Sequence, residues 1–128
     1  MNVLIVEDNK PVSLLLCRIA EEAGFGYFIA ADGEAALRLF DQRDVDLAIV
    51  DVELPRLDGY QVAREMRNQR PSLPILVISG NTGESWRQQA MDAGATEFLP
   101  KPVRPSTLNA ALSRLLGNTS PDAQIQRR

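Results

Sequence analysis

Five short apolar runs, each bounded by charged or turn-forming residues, constrain this chain more than any other feature. They are Val3-Leu4-Ile5-Val6, Tyr27-Phe28-Ile29-Ala30, Leu47-Ala48-Ile49-Val50, Ile75-Leu76-Val77-Ile78 and Glu97-Phe98-Leu99. Three are rich in β-branched residues and do not alternate apolar with polar. That is the pattern of strands covered on both faces, as in a parallel sheet between helices. Runs of four or five residues are far too short to span a membrane, which needs roughly 20.

Helical periodicity fills the gaps. Val12, Leu15, Leu16, Ile19, Ala20 and Ala23 lie mostly at spacings of three and four, after an N-cap at Asn9 and before a stop at Gly24. Asp32 caps a second helix with Ala36, Leu37 and Phe40 inward. A third runs from about Gly59 to Arg70 with Val62, Ala63 and Met66 inward, a fourth from about Ser85 to Ala93, and a fifth from the Pro105-Ser106 boundary with Leu108, Ala111, Leu112 and Leu115 inward. Strand and helix therefore alternate five times. The expected fold is α/β, a doubly wound five-stranded parallel sheet, because right-handed crossovers place helices on both faces. Residues 1–116 would form the domain, and the polar, turn-rich residues 117–128 a tail or the start of a linker.

Composition narrows the function. With 17 acidic and 14 basic residues the net charge is −3, which argues against direct nucleic-acid binding or an anionic membrane surface. The single cysteine, Cys17, cannot form an internal disulfide and is read as a core residue. The chain has no histidine, so no step can use a histidine base, ligand or phosphohistidine of its own. The N-terminus shows no secretory pattern, so a cytoplasmic location is expected.

In doubly wound sheets the functional crevice lies beyond the carboxyl ends of the strands. There the sequence places Glu7-Asp8, Asp51, Ser79-Gly80 and Lys101-Pro102. Carboxylates about 4 Å apart repel by roughly 4 kcal/mol per pair at an effective dielectric near 20. That burden implies a protonated carboxyl or a cation among Glu7, Asp8 and Asp51. An all-oxygen set suits Mg²⁺. Lys101, one of only two lysines, and Ser79 add the donors that the oxygens of a phosphoryl group need. The Lys101-Pro102 bond is a candidate for the cis form, which would aim the lysine inward. Gly80 is read as leaving room beside the acceptor, and Gly59 as permitting the turn behind it.

With these residues in place, the sequence resembles the receiver domain of two-component response regulators, the CheY-like family, over about residues 2–116. The motifs are Ile5-Val6-Glu7-Asp8-Asn9, Val50-Asp51-Val52-Glu53-Leu54-Pro55-Arg56-Leu57-Asp58-Gly59, Val77-Ile78-Ser79-Gly80 and Gly94-Ala95-Thr96-Glu97-Phe98-Leu99-Pro100-Lys101-Pro102. The resemblance implies a flavodoxin-like (βα)₅ fold with strand order 2-1-3-4-5. It implies that Asp51 is the phosphoacceptor, and that Mg²⁺ or Mn²⁺ is held by Asp8, by Asp51, by Glu7 through water and by the Glu53 backbone carbonyl. Ser79 and Lys101 would bind the phosphoryl group, Phe98 would be the switch aromatic, and Glu53 and Asn81 would tune dephosphorylation. The donor would be a sensor histidine kinase or a histidine phosphotransfer protein. A downstream effector would meet the helix 4–strand 5–helix 5 face, where Trp86, Arg87 and Gln89 are candidate contacts. Ser79 stands where Thr is commoner and Phe98 where Tyr is commoner. Thr96-Glu97-Phe98 lacks the paired aspartates typical of the winged-helix DNA-binding subfamily.

Such a chain is a signalling switch rather than an enzyme, catalysing only its own phosphorylation and slow dephosphorylation. The alternatives are an N-terminal receiver whose output domain lies beyond this sequence, or a pseudo-receiver that binds without phosphorylation. Two rivals from other classes fit less well. Asp51-Val52-Glu53 departs from the Asp-x-Asp of haloacid dehalogenase-type phosphatases, and a flavin module would want a Ser/Thr/Gly-rich loop after the first strand where this chain has acids. Asn118-Thr119-Ser120 matches a glycosylation sequon by chance composition.

Overall fold

The computed structural model describes residues 1–55, 57–81 and 83–116. The tail expected over 117–128, its sequon and Arg56 lie outside the described residues. The order is β1 (Asn2–Val6), α1 (Lys10–Glu22), β2 (Gly26–Ala30), α2 (Gly33–Gln42), β3 (Leu47–Asp51), α3 (Gly59–Gln69), β4 (Ile75–Ser79), α4 (Glu84–Asp92), β5 (Glu97–Pro100) and α5 (Pro105–Leu115). The five strands form one parallel sheet in the order β2-β1-β3-β4-β5.

The lack of polar alternation in β1, β3 and β4 has a direct cause. Val3, Ile5, Leu47, Ile49, Leu76 and Ile78 face α1 and α5, and pack on Leu16, Ile19, Ala20, Leu108 and Leu112. Their neighbours Leu4, Val6, Ala48, Val50, Ile75 and Val77 face α2, α3 and α4, and pack on Ala36, Phe40, Val62, Ala63 and Met66. Both faces are dry, so the four consecutive positions of each run are apolar. The edge strand β2 is different: Tyr27 and Ile29 remain 38% and 41% exposed.

Local chemistry sets the element boundaries. Asn9 and Asp32 accept the amides of Val12 (3.0 Å) and Ala35 (2.8 Å) as N-caps. Asp58 and Gln61 form a reciprocal capping box at the start of α3. After α1 and α4 the chain turns at Gly24 and Gly94, with φ of +92° and +105°, which L side chains resist. The expected inner face of α1 needs one correction. Leu15 turns outward at 38% exposure, and Ser13 and Cys17 are buried instead. The Leu14-Leu15-Leu16 triplet admits either phase, and only the packing of Leu16 on the sheet decides it.

Arg67 was not singled out by the sequence. Its guanidinium donates to the carbonyls of Gly94 (3.0 and 2.7 Å), Arg70 (3.2 Å) and Pro71 (2.9 Å), tying the end of α3 to the turn after α4. Its side chain fills the space a Cβ on Gly94 would need, at 2.9 Å.

Burial gives the fold an alkaline limit. Burial, with a smaller push from the Glu21 carboxylate, raises the Cys17 thiol above its ordinary value of 9.0. Burial, then Asp58 and Glu53, raises the Tyr60 phenol above 10.0. Both acids stay neutral longer in the folded chain than in the unfolded one. Their stabilisation is complete below the unfolded values and is lost as pH rises through the folded ones. The urea midpoint should therefore be level up to about pH 9 and fall above it, with the onset delayed in Cys17→Ala. A midpoint that stays level to pH 11 in the unsubstituted chain would contradict this.

Among the described residues no helix is long and apolar enough to cross a membrane.

Candidate functional site

The sheet register brings the ends of β1, β3, β4 and β5 to one edge. Val6 lies beside Val50, Asp51 beside Ile78, and Ser79 beside Pro100. Residues at or just past these ends therefore converge: Glu7 and Asp8 after β1, Asp51 closing β3, Ser79 closing β4 and Lys101 after β5. One carboxylate oxygen from each of Glu7, Asp8 and Asp51 lies within 4.8 Å of the others. Glu7 and Asp51 are only 2% and 1% exposed, whereas Asp8 faces solvent.

Lys101 is the counter-charge. Its Nζ lies 3.1 Å from Glu7 Oε1 and 3.1 Å from Asp51 Oδ2. Its amide donates to the Ser79 carbonyl at 2.8 Å, and the Lys101-Pro102 bond is cis. Burial alone would lower the ammonium's pKa, but hydrogen bonds and charge from Glu7 and Asp51 outweigh it and raise it. Glu7 moves upward as well. Its burial and the Asp51 charge outweigh the lowering by the Asn9 amide (3.1 Å) and by Lys101.

A chain of hydrogen bonds links Asp51 to the next loop. The Glu53 amide donates to Asp51 Oδ1 at 3.2 Å. Asn81 Nδ2 donates to Glu53 Oε2 at 3.3 Å, and the Asn81 amide donates to Ser79 Oγ at 2.9 Å. Glu53, Asn81, Ser79 and Asp51 are thus joined.

The donor set fits a hard divalent cation. It consists of oxygens alone, it carries more negative charge than the single lysine offsets, and Glu7 Oε1 is buried without a well-directed hydrogen bond although Lys101 is near. Glu7, Asp8 and Asp51 would leave room in an octahedral Mg²⁺ shell for waters and phosphate oxygens.

The other sequence candidates lie apart from this cluster of contacts. Phe98 sits in β5, half-buried against the core under α2, α3 and α4. Trp86, Arg87 and Gln89 are exposed on α4, with Trp86 at 38%.

The Gly59 expectation changes, while Gly80 does stand in open space. A Cβ on Gly80 would meet no protein atom within 4 Å. Gly59 is not freeing a turn: it opens α3, and a Cβ on it would lie 2.1 Å from the Asp51 carbonyl oxygen. Its role is close approach, which keeps the start of α3 against the backbone of Asp51 and Val52. Tyr60 was missed. It is 8% exposed and its hydroxyl has no hydrogen-bond partner among the described residues. The signal was available, since Tyr60 precedes the inward Ala63 and Met66 by three and six residues.

Comparison with known proteins agrees with this geometry. The family described as response regulator receiver domain matches over residues 3–113. The response regulator MprA of Mycobacterium sp. (strain KMS) is 38% identical over 122 residues, covering 95% of this chain and 53% of that protein. The chain thus spans about half the length of the curated relatives it matches. Among solved structures, the chemotaxis protein CheY4 of Vibrio cholerae is 31% identical with a TM-score of 0.84, over 89% of this chain and 97% of its own. The receiver domain of NtrX from Brucella abortus is also 31% identical with a TM-score of 0.84, over 92% and 99%.

Proposed function

The chain belongs to the response regulator receiver domain family, and on that premise we propose that Asp51 accepts a phosphoryl group from a phosphohistidine. The observation that carries this is the setting of Asp51: a buried carboxylate at the end of β3, paired to Lys101 at 3.1 Å and grouped with two further carboxylates. An Asp51 carboxylate oxygen attacks phosphorus, the P–N bond breaks, and the imidazole leaves with the bonding pair and takes up a proton. Asp51 becomes an acyl phosphate. Asp8, Asp51, the Glu53 carbonyl and, through water, Glu7 would hold Mg²⁺ or Mn²⁺, which would supply positive charge against the phosphoryl oxygens. Lys101 and the Ser79 hydroxyl supply the remaining donors.

The transferred group carries a charge of about −1.5 to −2, enough to draw Ser79 and Lys101 toward it and reset the loop after β4. Phe98 turns inward into the space that Ser79 leaves, and Glu53 and Asn81, which flank the acceptor, set how fast water removes the group. The altered α4–β5–α5 face, with Trp86, Arg87 and Gln89, is what a downstream effector reads. The donor is a sensor histidine kinase or histidine phosphotransfer protein of the cytoplasm, and the chain acts on no substrate but itself. The half-length match to relatives favours a receiver that serves an output domain of a larger regulator.

Phosphoramidate, a small P–N donor, tests the chemistry. With Mg²⁺ it should give one hydroxylamine-sensitive species retarded on a phosphate-affinity gel, and none with chelator. A retarded species that forms equally with chelator, or none with Mg²⁺, would contradict the proposal.

A further inference from the structure

The two edges of the sheet are treated differently. β5 carries guards against pairing with another strand: Glu97, tied to Arg114 at 2.6 Å, and Pro100, which has no N–H to offer. The Lys101 amide bonds the Ser79 carbonyl at 2.8 Å, so position 100 turns away from β4 to the outer edge. β2 reads Gly26-Tyr27-Phe28-Ile29-Ala30, with no charge, no proline and an unbroken register on β1.

The outer edge of β2 follows from its ladder. The Gly26 amide donates to the Met1 carbonyl at 2.9 Å, and the Ala30 carbonyl accepts the Glu7 amide at 3.0 Å. In a parallel pair alternate residues turn to the same neighbour, so Gly26, Phe28 and Ala30 bond β1. Tyr27 and Ile29 therefore direct their N–H and C=O groups outward, where the sheet ends. In register with Val3 and Ile5, their side chains share the α1 face, 38% and 41% exposed. Phe28 points to the other face, into the core there, with the Arg43 guanidinium over its ring at 5.8 Å.

This edge is complementary to itself. A two-fold axis through Phe28, normal to the sheet, runs β2 of a second copy antiparallel, with Tyr27 opposite Ile29. Two outward residues face each other at each such position, and they exchange both N–H···O bonds of a closely spaced pair. On the α1 face each Tyr27 ring meets an Ile29 side chain, an aromatic on a β-branched residue, which is a favourable cross-strand pair. This register uses both outward residues within the strand, and an isologous contact closes at two copies.

We propose that β2 is a self-association edge, on which two copies of the chain pair antiparallel about Phe28 into one continuous sheet. The interface goes beyond the receiver reading and needs no phosphoryl group. It lies at the opposite edge from β5, so the α4–β5–α5 face of each copy stays free, and the antiparallel strands open the two Asp51 sites at opposite ends. With five residues a side it is small, so the pair is weak and concentration-dependent.

Sedimentation of the chain over a micromolar-to-millimolar series tests it, with amide hydrogen exchange by NMR at both ends of the series. A reversible monomer–dimer equilibrium is expected, with slower exchange of the Tyr27 and Ile29 amides at the high end alone. Ile29→Pro removes an outward donor and no bond to β1, and Ile29→Lys puts a charge on the edge. Each should weaken association at least about tenfold, the equivalent of about 1.4 kcal/mol, with cooperative thermal unfolding retained. Should the proline variant not fold, the lysine variant, at an exposed position, decides alone. A chain that is monomeric throughout would overturn the proposal and leave the edge to a segment of another protein. A dimer undiminished in the folded variants, or one that leaves Tyr27 and Ile29 exchange unchanged, would overturn it by placing the contact elsewhere.

Discussion

Replacing Lys101 with Met should destabilise the metal-free chain by about 3 kcal/mol, and Mg²⁺ should restore most of the loss. Lys101 Nζ is 3.1 Å from both Glu7 Oε1 and Asp51 Oδ2, and its side chain is only 21% exposed. Removing one partner of a buried ion pair typically costs about 3–5 kcal/mol, because the other charge stays buried. Here two carboxylates would be stranded, with Asp8 alongside. Protonation limits the damage, since burial already raises the pKa of Glu7 and loss of the ammonium would raise it further. A carboxyl raised in the folded state stabilises at low pH, and that contribution is lost as pH rises through its folded value. The deficit of Lys101→Met should therefore be small near pH 4 and full near pH 8. Urea unfolding with chelator and with Mg²⁺ at both pH values checks it. A deficit below 1 kcal/mol at pH 8, or one that Mg²⁺ leaves unchanged, would contradict the electrostatic account.

Gly59→Ala should cost at least about 3 kcal/mol, the upper end of what overpacking usually costs. The added Cβ would lie 2.1 Å from the Asp51 carbonyl oxygen, 2.5 Å from Val52 Cα and 2.8 Å from the Asp51 carbonyl carbon. All three are backbone atoms, so no side chain can step aside. Either α3 lifts from β3, exposing Tyr60, Val62 and Met66, or the Asp51 backbone shifts and carries its carboxylate away from Lys101. Both routes break the 3.0 Å bond from the Gly59 amide to the Val52 carbonyl. Gly80→Ala is the control, since its Cβ meets nothing within 4 Å and should change stability by less than about 0.5 kcal/mol. Unfolding midpoints of the two variants decide the matter, and near-equal stability would mean that α3 accommodates the methyl group by a small rotation.

These glycines mark the boundary of what the sequence reveals. Strand runs such as Ile75-Leu76-Val77-Ile78 were legible because both faces of the sheet are covered, and a doubly covered strand needs no polar position. The nearness of Glu7, Asp8 and Asp51 was legible too, since a parallel sheet delivers strand ends to one edge. Gly59 and Gly80 look alike on paper, and only the path of the backbone near Asp51 separates them. Leu15 and Leu16 are adjacent and equally apolar, so the phase of α1 had to come from packing. Arg67 was opaque for another reason: its acceptors are main-chain carbonyls, which every residue carries and no sequence pattern marks. The same holds for the Tyr60 hydroxyl, whose lack of a hydrogen-bond partner among the described residues is a property of its surroundings.

The most direct test of Asp51 as acceptor is intact mass after incubation with Mg²⁺ and acetyl phosphate, for the unsubstituted chain and for Asp51→Asn. The account predicts one added phosphoryl group on the unsubstituted chain, removable by hydroxylamine and never formed with chelator, and none on Asp51→Asn. An equal adduct on both would place the phosphoryl group elsewhere, and no adduct on either would leave the fold standing with binding, not phosphotransfer, as its function.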